Sequence, residues 1–198
     1  MIIGIVPKIK KNRSSFDFSL DNDLISFFSN VFPKSQIKVL VEKKAYQIDL
    51  LILSGGNTPY HLSKTKENMM RKSLDLFHLK LSKKRGIPSV GICHGAQIIA
   101  SKYKSKIIKQ KGHVRKEGHT ILYKEKGESK KLIVNSYHDF CITKLGDKLE
   151  QFALSYDNTI EAFKHKDEKI FGIMWHPERY KKINKFDKKI IKKFFKCN

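Results

Sequence analysis

Residues 88–100 read PSVGICHGAQIIA, and this stretch decides the fold. Ser89 to Ile92 is a short apolar run, expected to be a buried strand. It delivers Cys93 into a tight turn, and a helix starting at Gly95 or Ala96 leaves that turn, carrying Ile98, Ile99 and Tyr103. The frame Gly91-x-Cys93-x-Gly95 is the thiol form of a nucleophile elbow. Larger side chains at the two glycines would collide where strand and helix pack so closely. The turn presents the sulfur at the carboxyl edge of a sheet, where open α/β sheets hold ligands. It also sets the thiol near a helix N-terminus, whose partial positive charge favours thiolate. The bland alternative is a buried cysteine in a strand–turn–helix packing site.

Working outward, strands and helices alternate. Ile2 to Val6, Ile37 to Val41 and Asp49 to Leu53 read as strands. Helices are expected over about Leu20 to Phe32, capped by Ser19 or Asp21, and over about Glu67 to Arg85, with Met70, Leu74, Phe77 and Leu81 on one stripe. From His119 onward the texture becomes β-like: His119 to Lys124, Lys131 to Val134, Gln151 to Tyr156, Thr159 to Lys164 and Lys169 to Met174, with turns at Gly127, Gly146 and Asp157-Asn158. A last helix covers about Asn184 to Lys196. This pattern predicts one α/β domain over residues 1–198, with a parallel sheet and an antiparallel extension.

Three further segments end predicted strands in polar residues. LILSGGNTPY (51–60) places Gly55-Gly56 directly after a strand, freeing backbone N–H groups to meet an oxyanion. FGIMWHPERY (171–180) offers His176, suited to proton transfer near neutral pH, and Glu178 to hold its imidazole. LIVNSYHDF (132–140) brings Asn135, Ser136, Tyr137 and His138 to a sheet edge. Each alone fits an ordinary turn, a surface histidine or a structural histidine. Together they supply a nucleophile, a base, an orienter and an oxyanion pocket at strand ends, where a shared site forms.

Composition excludes several classes. Apolar runs fall far short of the roughly 20 residues needed to span a bilayer. The opening MIIGIVPKIKK has no basic segment before an apolar core and no small-residue cleavage site, so no signal peptide is expected. Three widely spaced cysteines, Cys93, Cys141 and Cys197, are not a disulfide framework, and a reducing cytoplasm is the expected compartment. Cys141 and Cys197 are expected to be dispensable. No C-x2-C pair and no H-E-x-x-H occurs, so no metal site is expected. The net charge is +22, yet only five of 41 basic residues are arginine and the lysines are scattered. That argues against nucleic-acid binding. It suits a solvated surface whose summed field also attracts an anionic small molecule.

These segments, with IIGIV at the start, GHT at 118–120, TIEAF at 159–163 and the helix bearing Arg71, resemble the class I glutamine amidotransferases, especially their γ-glutamyl hydrolase branch. The resemblance implies a flavodoxin-like, doubly wound, mainly parallel sheet with a small antiparallel extension. It implies a triad of Cys93, His176 and Glu178, with oxyanion donors from the backbone of Gly56, Asn57 and His94. It further implies that Gly55, Gln97, Asn135, Ser136, Tyr137 and His138 line the glutamyl pocket. No cofactor is implied. Asn57 and His94 depart from residues common in that branch, which points to an unusual leaving group. A glutaminase subunit serving a synthase partner, a hydrolase of small γ-glutamyl amines and a silent binding module remain alternatives; Trp175 and the complete triad favour the hydrolase. Cys93→Ala should lower glutamate release from a γ-glutamyl amide to background while leaving the far-ultraviolet circular dichroism spectrum unchanged.

Overall fold

The computed structural model describes residues 1–125 and 128–196. The expected turn at Gly127, and Cys197, lie outside them. In chain order the strands and helices are β1 (Ile2–Val6), β2 (Lys8–Lys11), β3 (Phe16–Ser19), α1 (Asn22–Val31), β4 (Gln36–Val39), β5 (Leu50–Leu53), α2 (Lys66–Lys84), β6 (Ser89–Ile92), α3 (His94–Lys102), β7 (Lys106–Lys109), β8 (Val114–Glu125), β9 (Glu128–Tyr137), β10 (Phe140–Lys144), β11 (Leu149–Ser155), β12 (Ile160–His165), β13 (Ile170–Ile173) and α4 (Lys185–Lys196). A short 3-10 turn, Pro177–Arg179, precedes α4.

Five strands run parallel in the order β4-β1-β5-β6-β13. Numbered among themselves they read 2-1-3-4-5, the flavodoxin-like order. β13 then pairs antiparallel with β12, and β11, β8 and β9 continue that antiparallel part. β10 and β7 branch from β12. The chain is therefore a doubly wound parallel core with an antiparallel extension, as the sequence predicts.

Alternation along the central strands builds both cores. Leu50 and Ile52 of β5 face Phe27 and Phe28 of α1, together with Trp175 and Ile191. Leu51 and Leu53 face Leu74 and Leu79 of α2 and Ala96 and Ile99 of α3. A strand buried on both faces reads as a continuous apolar run, which is why LLIL was legible. Among the described residues, no helix is long and apolar enough to cross a membrane.

Three local readings need correction. The inner face of α2 is not the stripe of Met70, Phe77 and Leu81, which are only partly buried; Arg71, Asp75 and His78 lie inside with Leu74. A buried arginine is tolerated there because its charge is paired with Asp75 and its Nε and Nη2 both donate. The N-cap of α1 is Asp21, but its side chain makes no cap bond. Its carboxylate instead meets Lys8 Nζ at 2.5 Å, which holds it below the usual aspartate range. The sequence pattern does not predict the β2–β3 hairpin, because its KIKK strand buries only Ile9 and lacks an apolar face.

The joint between α3 and the sheet is tight. A Cβ on Gly91 would lie 2.5 Å from the Gly95 carbonyl carbon, and one on Gly95 would lie 2.0 Å from Leu53 O. Both obstacles are backbone, so a side chain there must push α3 off β5 and β6. Gly95→Ala should cost about 3 kcal/mol or more, read as a fall in Tm by thermal unfolding.

Candidate active site

Cys93 ends β6 and precedes α3 with φ 49° and ψ −102°. That left-handed backbone is strained for a residue with a side chain, at a cost of roughly 1–3 kcal/mol. Two backbone bonds pin it: Cys93 N–H donates to Ile173 O at 2.8 Å, and Gln97 N–H donates to Cys93 O at 3.0 Å. His94 follows in the first helical turn, where backbone donors lack intrahelical acceptors.

His176 follows β13, the parallel neighbour of β6. Its imidazole meets the Cys93 thiol, and Nδ1 lies 2.5 Å from Glu178 Oε1. The turn at Pro177–Arg179 folds Glu178 back beneath the ring. His176 and Glu178 are both buried. Burial pushes the Cys93 thiol up, but the charge and hydrogen bond of His176 outweigh it and hold the thiol below its ordinary value. Burial likewise pushes His176 down, but the charge and hydrogen bond of Cys93 and the hydrogen bond of Glu178 raise it to about 9. Both shifts favour the thiolate–imidazolium form of the pair, a nucleophile beside a proton donor.

Gly55 and Gly56 follow β5 and border this pair. A Cβ on Gly55 would sit 2.6 Å from His176 Cε1 and 3.6 Å from Cys93 Cβ. Gly56 has φ +107°, which favours glycine. Gly56, Asn57, Gln97, Tyr137, His138 and Arg179 line a cleft of about 200 Å3 that includes Cys93 and His176. Gln97 donates through Nε2 to Phe140 O at 2.9 Å, tying α3 to the wall that carries His138.

Comparison with known proteins fits this geometry. The family model described as glutamine amidotransferase class-I matches residues 9–197. The chain belongs to that family. The chain is 42% identical over 151 residues to the γ-glutamyl-CDP-amidate hydrolase of Campylobacter jejuni, covering 75% of this chain and 70% of that protein. It is 27% identical over 177 residues to anthranilate synthase component 2 of Helicobacter pylori, covering 84% and 85%. Among solved structures it superposes on PurLQS from Thermotoga maritima with TM-score 0.69 at 18% identity, covering 98% of this chain and 96% of that one. A glutamine amidotransferase of the same organism superposes with TM-score 0.64 at 14% identity, covering 89% and 76%. These last two likenesses concern the fold.

Several expected pocket residues take other positions. Asn135 grips the backbone of His176 in both directions: its Nδ2 donates to His176 O at 2.7 Å, and its Oδ1 accepts from His176 N–H at 2.8 Å. Ser136 is fully buried and donates to His113 O. Only Tyr137 and His138 of that segment reach the cleft, one closing β9 and the other just past its end. The side chains of Asn57 and His94 do not explain an unusual leaving group either. Asn57 bonds both the N–H and the C=O of Ile9, each at 2.9 Å, and so ties the Gly-Gly loop to β2. His94 is fully buried and reaches Asp75 Oδ2 at 3.1 Å. Burial keeps its imidazole below the ordinary value, so it is neutral.

Behind His94 lies a network that single motifs do not reveal. Arg71 grips Asp75 through Nε at 2.9 and 3.0 Å and donates through Nη2 to Ser54 O at 2.7 Å. One buried guanidinium thus orients the loop entering Gly55-Gly56, and its carboxylate partner orients the elbow. Arg179 was within reach of the sequence, adjoining Glu178. Its guanidinium lies 4.7 Å over the Tyr137 ring at the cleft.

The pKa directions set a pH profile. A depressed thiol ionises below its ordinary value, so reactivity persists below pH 8. The imidazolium is lost as pH rises through about 9. Alkylation of Cys93 by iodoacetamide should exceed that of a free thiol at pH 7 by about tenfold or more. The kcat/KM for a γ-glutamyl amide should fall on an alkaline limb centred near pH 9.

Proposed function

We propose that this chain is a cysteine hydrolase of γ-glutamyl amides. The observation that carries the reading is the Cys93–His176–Glu178 line beside the Gly55–Asn57 loop. Cys93 thiolate attacks the γ-carbonyl carbon. The oxyanion that forms accepts hydrogen bonds from the backbone N–H groups of His94 and of Gly56 or Asn57. His176 protonates the departing nitrogen as the C–N bond breaks, leaving a γ-glutamyl thioester. The now neutral His176 takes a proton from water, which adds to the thioester. Collapse breaks the C–S bond, releases glutamate and restores the thiolate–imidazolium pair. Glu178 holds the imidazole in the tautomer that both steps need. Gln97 and Tyr137 form the wall for the glutamyl head.

The substrate we propose is γ-glutamyl-CDP-amidate, hydrolysed to glutamate and cytidine diphosphoramidate, a donor for phosphoramidate modification of capsular polysaccharide. Two observations favour it. One is the 42% identity to the C. jejuni protein of that name. The other is Arg179, a guanidinium at the cleft held over Tyr137, suited to a diphosphate by paired charge-assisted bonds. The reaction closes on groups of this chain and needs no synthase partner. A glutaminase subunit is the second reading, favoured by the likeness to anthranilate synthase component 2. A third leaving group to weigh is a small amine, as in γ-glutamyl-aminobutyrate.

Glutamate release by the purified chain alone decides among these. The kcat/KM for γ-glutamyl-CDP-amidate should exceed those for glutamine and γ-glutamyl-aminobutyrate by about 10³-fold or more. Arg179→Ala should lower that value by roughly 10- to 100-fold, as for loss of a hydrogen-bonded charge, and lower the glutamine value far less. Equal rates on all three substrates would remove the CDP assignment. No turnover of any, with Cys93 still open to alkylation, would favour the glutaminase subunit.

A further inference from the structure

The antiparallel extension buries a second constellation of reactive groups. His113 precedes β8, His119 lies on it, His138 follows β9 and Glu161 lies on β12. All four are buried, at 1, 4, 4 and 0% exposure. One donor atom from each lies within 4.8 Å of all the others. Glu161 Oε1 is 3.6 Å from His113 Nδ1 and 3.5 Å from His138 Nε2, and Oε2 is 3.4 Å from His119 Nε2. Yet none of these five atoms has a hydrogen-bond partner among the described residues. A buried carboxylate without hydrogen bonds costs several kcal/mol. The three histidines stand around it at 3.4–3.6 Å without supplying those bonds, and charging all three against Glu161 and Asp157 would leave an excess of one positive charge at the cluster.

We propose that these four side chains bind one divalent zinc ion. The spacings support it. A tetrahedral ion with bonds of about 2.0–2.1 Å has ligand–ligand edges of about 3.3–3.4 Å, close to the three distances above. Three imidazoles and one carboxylate form a donor set that zinc accepts readily. The surroundings orient the ligands as metal sites require. His113 presents Nδ1 inward because Nε2 lies 2.9 Å from Asp157 Oδ2. Asp157 is in turn fixed by Gln110 Nε2 at 2.6 Å and by the N–H and hydroxyl of Thr159 at 3.1 and 2.8 Å. His138 presents Nε2 inward with its Nδ1 turned to Cys141 Sγ at 3.7 Å. Cys141 is therefore a buried partner of a ligand rather than a spare thiol.

Four protein ligands make a closed, structural site. The ion would join the start of β8, the β9–β10 corner and β12. His138 is shared with the cleft beside Cys93. The bound ion would thus fix the wall from Tyr137 to Phe140 against Gln97. This assignment concerns folding and wall geometry, and it stands whether or not the chain hydrolyses a γ-glutamyl amide.

The test measures metal rather than activity. The full chain is made without a polyhistidine tag in zinc-supplemented medium, desalted and assayed by inductively coupled plasma mass spectrometry. The expected content is about one zinc per chain. Removing it with a chelator should lower Tm by at least about 5 °C, with recovery on adding zinc alone. Cobalt(II) in its place should give the intense visible bands of a tetrahedral site. Glu161→Gln and His119→Gln should each lose about tenfold or more in metal content, whereas Cys93→Ala, which removes the other thiol–imidazole pair from contention, should keep it. Should either variant fail to fold, the chelation and cobalt measurements on the natural sequence still decide. Less than about 0.1 zinc per chain after supplementation, an octahedral cobalt spectrum, or loss of metal in Cys93→Ala with retention in Glu161→Gln would overturn the assignment.

Discussion

The contact on which the catalytic end of the molecule depends is backbone against backbone, where the first turn of α3 rests on β5 and β6. With no Cβ at Gly91 or Gly95, the helix descends until Gly95 nearly touches the Leu53 carbonyl. That descent forces the turn at Cys93 into its left-handed conformation. The strain lifts the sulfur clear of the sheet and points it along the helix N-terminus. It persists because Ile173 O, Gln97 N–H and a fully buried strand on each side over-determine the turn.

The rest of the site is arranged around that fixed point by pairs of buried polar contacts. Arg71 and Asp75 hold the Ser54 carbonyl and the His94 ring from behind. Asn135 holds the backbone of His176 from the side, and Glu178 holds its ring. Trp175, fully buried, donates its indole N–H to Asp187 of α4 at 2.9 Å and so anchors the strand end that releases His176. Each contact is costly to break, since the partner left behind is buried. A site of this kind keeps its geometry without a ligand, which suits electrostatic stabilisation of a developing oxyanion.

Charge is handled differently at the surface and in the site. The lysine excess that gives the chain its net +22 lies along the whole sequence and acts through a long-range field screened by salt. Arg179 acts at contact range, stacked on Tyr137.

What the sequence by itself determined is the set of features whose cause is local. Continuous apolar runs such as LLIL mark strands buried on both faces, and the Gly-x-Cys-x-Gly frame marks the elbow, because neighbours along the chain create both constraints. The Cys93, His176 and Glu178 candidates were legible for the same reason, each sitting in a compact segment at a strand end. The tertiary structure decided what depends on facing and on distant partners. It turned Asn135 and Ser136 away from the cleft, set Asn57 and His94 to holding the loop and the elbow, and put Arg71 and Asp75 inside α2. It also gathered His113, His119, His138 and Glu161, which are separated by up to 48 residues, with only His113 and His119 at a short ligand spacing. Their convergence follows from antiparallel pairing of β8, β11 and β12, and strand order leaves no mark in the local sequence.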